Sequence, residues 1–160
     1  MKKQNLVAKI ILILSLLSVL LLIVTPMQFL NYGKNGINAI WGWTGIFGGD
    51  VALELGDVTK TLTYDFNWVI YVACILTLVL GVTTALIGPK KKGYYIFSAI
   101  IFVVLAVIFF TISSTCLEST VNWGGTAGHQ GKPLGVGPWF AGLAASFSAI
   151  GSIVANRMSK

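Results

Sequence analysis

Four stretches of the chain, residues 6–25, 67–88, 94–114 and 137–155, are almost wholly apolar. Each is close to the ~20 residues that a helix needs to cross bilayer hydrocarbon. That pattern restricts the fold more than any other feature. Composition agrees: 56% of the 160 residues are hydrophobic and 10% are charged. A soluble domain carries about a quarter charged residues, so too little polar surface remains here to cover a water-facing sphere. The expected fold is an all-α membrane protein, a single four-helix transmembrane bundle spanning residues 1–160.

Charge placement predicts its orientation. The net charge of +6 could suggest nucleic-acid binding, but the basic residues do not gather into one patch. Lys2, Lys3, Lys9, Lys90, Lys91, Lys92, Arg157 and Lys160 flank apolar runs, while Lys34, Lys60 and Lys132 lie in the two longer loops, 26–66 and 115–136. All five acids, Asp50, Glu54, Asp57, Asp65 and Glu118, share those loops. Three lysines in the short connection after Pro89 mark it as cytoplasmic by the positive-inside rule. Four spans then put both termini in the cytoplasm and the two long loops outside, in a plasma-membrane multi-pass arrangement. Trp41, Trp43, Trp68, Trp123 and Trp139 all fall on the expected outer side, and Tyr94 and Tyr95 at the inner boundary. Anchoring at the headgroup level explains most of them. Trp41 and Trp43, deeper in the first loop, fit it less well.

Met1, Lys2 and Lys3 before an apolar run resemble the start of a signal peptide. The core from Ile10 to Val24 is long, however, and Thr25, Pro26, Met27 and Gln28 follow with no small-x-small cleavage site. The first run is therefore expected to be an uncleaved helix.

In the first outer loop, residues 51–55 (VALEL) and 58–64 (VTKTLTY) alternate in polarity on either side of Gly56 and Asp57. Two such runs around a two-residue Gly-Asp turn predict a small extracellular β-hairpin. In that register Leu55 faces Val58, Leu53 faces Lys60 and Val51 faces Leu62, while Glu54 and Thr59, and Asp50 and Thr63, share the polar face. The mostly apolar face needs a cover. Residues 38–47 of the same loop, or a partner protein, could supply it. Trp41, Trp43, Ile46, Phe47, Leu53 and Leu55 are thus the candidate partner-binding residues. The second outer loop is rich in glycine around His129, which suggests turns and no strand.

Little in the chain supports chemistry. Inside the apolar cores, counted from Ile10 in the first, there is no Asp, Glu, Lys, Arg or His. Proton relays and ion-coupled transporters generally use such a group within the membrane. His129, the single histidine, cannot build a zinc site or ligate haem from both sides. Asp50, Glu54 and Asp57 could approach a hard cation such as calcium, but their spacing is diffuse. Cys74 and Cys116 form no Cys-x-x-Cys, and Cys74 lies about 10 Å deeper than Cys116 at 1.5 Å per helical residue, so packed or free thiols are expected. No catalytic residue, metal or cofactor is assigned.

Small residues form the clearer pattern. Ala73, Thr77, Gly81 and Ala85 recur at every fourth position in the second run. In the fourth, Ala141, Ala145 and Ala149 form one row, with Gly142 beside it and Ala144, Ser148 and Ser152 on the next. Such rows let helix backbones approach closely. The Gly81 row is expected to meet the Ala141 row. The first run, mostly Leu, Ile and Val, is expected to face lipid.

Four spans, cytoplasmic ends, a long first outer loop with β-structure, and Trp41 followed by Gly45, Ile46 and Phe47 together resemble the claudin and peripheral-myelin-protein-like tetraspan membrane proteins. The resemblance implies lateral assembly or partner binding without catalysis. The chain departs from claudins in its shorter Trp-to-Gly spacing and in having no cysteine in that loop, which argues against junction-type sealing. The expected function is a non-enzymatic membrane scaffold or accessory subunit. It would bind the lipid bilayer and another membrane protein or a second copy, and no nucleic acid. A small transport or pore component is the alternative, followed by a membrane enzyme using the loop carboxylates.

Overall fold

The computed structural model describes residues 2–31, 37–55, 58–115, 119–121 and 135–158. The chain is mostly helical. Four long helices, α1 (Lys2–Val24), α3 (Trp68–Ile87), α4 (Lys92–Thr115) and α5 (Val136–Arg157), are long and apolar enough to cross a membrane. A short helix α2 (Gly42–Phe47) and five strands occupy the connections at one end, here called the cap end. The strands are β1 (Pro26–Asn31), β2 (Ile37–Trp41), β3 (Gly49–Leu55), β4 (Val58–Tyr64) and β5 (Ser119–Val121).

Local chemistry sets the helix ends. The Asn67 side chain caps α3 by accepting from the Ile70 amide at 3.1 Å, satisfying one of the amides that a helix start leaves without a partner. Gly88 and Pro89 end α3, and Pro26 follows the end of α1. Pro138 sits in the first turn of α5, where its missing amide costs no helical bond.

The long helices alternate in direction. α1 packs between α3 and α5, α5 packs on α4, and a thinner α3–α4 contact closes the ring. The core holds Ile11, Leu22, Phe102, Phe109, Ile112 and Ala145. Against expectation, α1 is therefore not simply a lipid-facing helix. Ala8, Ile11, Ser15, Ser18, Val19 and Leu22 are buried, and only the opposite face, with Ile10, Ile13, Leu17 and Leu20, is exposed. Ser15 is satisfied within its own helix and so can be buried, and Ser18 ties α1 to α5. Ser15 donates to the Ile11 carbonyl (2.9 Å), and Ser18 reaches across to the Ala141 carbonyl of α5 (3.0 Å).

The hairpin has the register its polarity pattern predicts. Leu55 pairs with Val58, Glu54 with Thr59, Leu53 with Lys60, Val51 with Leu62 and Asp50 with Thr63. Thr63 donates to the Asp50 carboxylate at 2.8 Å on the polar face. The turn residues Gly56 and Asp57 lie outside the described residues. Residues 38–47 divide into β2, which pairs with β1, and α2. The second loop contributes a strand, since β5 adds to the β4 edge by pairing Ser119 with Tyr64 and Val121 with Leu62. Its glycine-rich part, residues 122–134 with His129 and Trp123, lies outside the described residues.

Candidate functional site

The cap end is organised around the end of α1. Thr25 donates its hydroxyl to the Leu21 carbonyl at 2.6 Å, and its own carbonyl accepts from the Gly42 amide at 3.1 Å. Two residues on, the Met27 carbonyl accepts from the Gly135 amide at 2.9 Å. Gly42 opens α2 and Gly135 caps α5, so both elements hang on one short stretch of backbone. A Cβ on Gly42 would overlap the Leu22 carbonyl oxygen, and one on Gly135 would overlap Pro26 and Met27. These close approaches need glycine.

α2, six residues long, makes fewer than two turns. Ile46 is its inward residue, and it is buried. The Ile46 carbonyl accepts from the Asn67 amide at 2.9 Å, which ties the end of α2 to the start of α3. Ile46 is thus an anchor for α2 and is not available as a contact residue. Trp43 and Phe47, four residues apart, share the outward face, with centroids 4.3 Å apart and ring planes tilted by 41°. From there the rings run onto α3. Phe47 lies 6.3 Å from Phe66 and 6.1 Å from Tyr71, Phe66 lies 4.8 Å from Trp68 and 5.3 Å from Tyr71, and Trp68 lies 6.3 Å from Tyr71. Each such pair contributes about 0.5–1.5 kcal/mol beyond area burial, so the cluster is a held surface. Trp41 is exposed nearby.

Of the sequence candidates, the structure brings Trp43 and Phe47 together and leaves Trp41 beside them. Leu53 and Leu55 lie in β3 opposite Lys60 and Val58, with their side chains outside the description. Phe66 and Tyr71 were not legible as members of this surface. The available signal was aromatic density at the entry to the second apolar run, where Phe66, Trp68 and Tyr71 occur within six residues.

The helix-packing candidates have different neighbours from those expected. Ala73, Thr77 and Gly81 are buried and Ala85 is half-buried. The partner of Gly81 is α1: a Cβ there would stand 2.5 Å from the Ser15 Cβ. The Ala141 row is buried against other helices, with the Ala141 carbonyl taken by Ser18 of α1. Gly142 makes room for the Phe110 ring of α4, which also meets Trp139 edge-on at 5.3 Å. Ala145 and Ala149 are buried in the same core.

The bundle interior is neutral. Its buried polar groups among the described residues are Gln4, Ser15, Ser18, Thr77, Thr84, Ser98, Ser148 and Ser152. Most of the hydroxyls return to backbone: Thr77 donates to Ala73, Ser148 to Ala144 and Ser152 to Ser148. Between α3 and α4 the Thr84 hydroxyl donates to Ser98 (2.7 Å), which donates to the Tyr94 carbonyl, while the Tyr94 hydroxyl donates to Thr83 (2.6 Å). Gln4 lies beside the buried Tyr95 hydroxyl, outside good hydrogen-bond geometry. These groups satisfy helix backbone and cross-link helices, and line no continuous polar path. No group of three or more metal-ligating side chains occurs among the described residues. Asp50 and Asp65 are exposed, and Cys74 is a buried free thiol. Glu54, Asp57, Glu118 and Cys116 contribute no described side chain.

Comparison of the chain with protein-family models, curated proteins and solved structures finds no match.

Proposed function

We propose that the chain is a four-span integral protein of the plasma membrane that acts without chemistry, as a scaffold or accessory subunit contacting another membrane protein through its cap end and helix faces. Every long helix turns a row of large apolar side chains outward, such as Leu20 on α1, Leu76 on α3, Val104 on α4 and Phe147 on α5. A belt around the whole bundle suits lipid, since water would penalise each exposed side chain. Lys3, Lys9, Lys90, Lys91 and Arg157 gather toward the end away from the cap, and Asp50 and Asp65 at the cap, which supports cytoplasmic termini.

The observation that carries the non-enzymatic reading is the bundle interior. It is filled by Phe102, Phe109, Ile11 and Leu22, and its serine and threonine hydroxyls are occupied by backbone and by one another, with the buried Tyr95 hydroxyl the exception among the described residues. A transport pathway through one chain would need a polar lining in place of that packing. The surface left for function is the cap.

Two experiments test this reading. Cysteines placed at Lys60 or Gln130 should react with an impermeant maleimide on intact cells, and a cysteine at Lys91 should not. External labelling at position 91 would sink the proposed topology. For the cap, Leu53→Asp puts a carboxylate at one of the alternating apolar positions of β3. It should abolish crosslinking from a photoreactive residue at Ala52 to a neighbouring membrane protein, with all four spans still inserted. Unchanged crosslinking, or solute flux through liposomes holding the purified protein alone, would overturn the scaffold reading.

A further inference from the structure

α2 lies in the connection between α1 and α3, and its position along the bundle is unexpected for a water-exposed loop. Gly42 packs on the backbone of Leu22 and Ile23, residues inside the last turn of α1. Phe47 reaches Tyr71, which lies three residues, or about 4.5 Å, inside α3 from Trp68. α2 therefore sits beside the ends of two long apolar helices and not above them.

Its outward surface has the chemistry of that level. Trp43 and Phe47 are exposed, and Phe66 and Trp68 extend the same surface to the mouth of α3. Below Trp68 the exposed face of α3 continues with Val69, Val72, Ile75 and Leu76 without a break. No charged residue occurs between Lys34 and Asp50 or between Asp65 and Lys90. A protein-docking patch in water would have a polar rim. This patch has the exposed Asp65 beside Phe66, and away from the cap it runs directly into the apolar belt. Indole rings, apolar with one N–H to hydrate, prefer the headgroup boundary.

We infer that α2 is an interfacial helix whose Trp43 and Phe47, with Phe66 and Trp68, are seated among phospholipid headgroups and upper acyl chains. The inference rests on the membrane reading above. It assigns the aromatic face to lipid and leaves the β-sheet of the cap as the surface for a partner. Through the Asn67–Ile46 and Gly42–Thr25 hydrogen bonds, the anchored helix fixes the height at which β2 and β3 leave the bilayer.

The test places the protein in phosphatidylcholine vesicles brominated either near the headgroup or near the chain ends. A variant keeping Trp43 alone, with Trp41, Trp68, Trp123 and Trp139 replaced by Phe, should lose most of its emission to shallow bromines and little to deep ones. A companion with Leu76→Trp as its single tryptophan should show the reverse. If both are untouched by brominated lipid, the membrane reading fails. If Leu76→Trp is quenched and Trp43 is not, the interfacial inference alone is overturned, whether water, a second copy or another protein covers the face. A second measurement keeps all five tryptophans. In a Cys74→Ala, Cys116→Ala background, a nitroxide on Phe47→Cys should relax more with oxygen than with a water-soluble nickel chelate, and one on Asp50→Cys the opposite. Equal nickel access at both positions would overturn the inference.

Discussion

Gly42→Ala is expected to cost the folded protein at least about 3 kcal/mol, measured as loss of thermal stability in mild detergent. The added methyl would overlap the Leu22 carbonyl oxygen, with the Leu22 carbonyl carbon at 2.7 Å and the Ile23 Cα at 2.9 Å. All three are backbone atoms of α1, so no side chain can rotate away. Either α2 lifts off α1 and gives up the 3.1 Å bond from the Gly42 amide to the Thr25 carbonyl, or the last turn of α1 unwinds. Gly93→Ala is the matched control, since nothing lies within 4 Å of a Cβ there. It should change stability by no more than about 0.5 kcal/mol. Equal melting temperatures for the two variants would refute the clasp between α1 and α2.

Gly81→Leu is expected to cost about 1–3 kcal/mol, while Leu20→Ala costs less. Gly81 is buried against Ser15 of α1, with its missing Cβ 2.5 Å from the Ser15 Cβ and 2.6 Å from its hydroxyl oxygen. Leu20 is 55% exposed on the outward face of α1, where truncation opens no cavity. Insertion should survive in both, because neither change adds charge to an apolar run. A double variant identifies the partner helix. Gly81→Ala combined with Ser15→Gly should recover most of the stability lost in Gly81→Ala alone, and combination with Ala145→Gly should not. Recovery with Ala145→Gly and none with Ser15→Gly would return Gly81 to a contact with α5. The reverse ranking of Gly81→Leu and Leu20→Ala would remove the case for close packing at this row altogether.

Much of the architecture is legible because it depends on short-range pattern. Four apolar runs of helix length yield four long helices, since a helix satisfies its own backbone within each run. The β3–β4 register is legible because strand side chains alternate, so a one-residue slip would exchange the alternating apolar positions 51, 53 and 55 for the polar ones between them. Small residues mark close helix approaches, and Gly81 and Gly142 do stand at them.

Which helix comes close is a different kind of information. A row of small residues specifies a smooth surface and carries no label for its partner, so Gly81 could be assigned to α5 as readily as to α1. The choice follows from the ring order of the helices, in which α1 separates α3 from α5, from Ser18, which bonds across to α5, and from Ser15, which bonds within α1 and packs against Gly81. The strand β5 was equally hidden. Three residues have too little pattern to announce themselves, and Ser119, Thr120 and Val121 become a strand because β4 presents an open edge. The aromatic surface depends on tertiary structure for the same reason. Trp43 and Phe47 lie about twenty residues before Phe66, Trp68 and Tyr71, with the whole β3–β4 hairpin between them. Sequence alone determined that the chain has four apolar helices, a hairpin in known register and a neutral interior. Only the tertiary structure folded α2 back against the ends of α1 and α3, because the glycine at position 42 lets two backbones meet where any side chain would hold them apart.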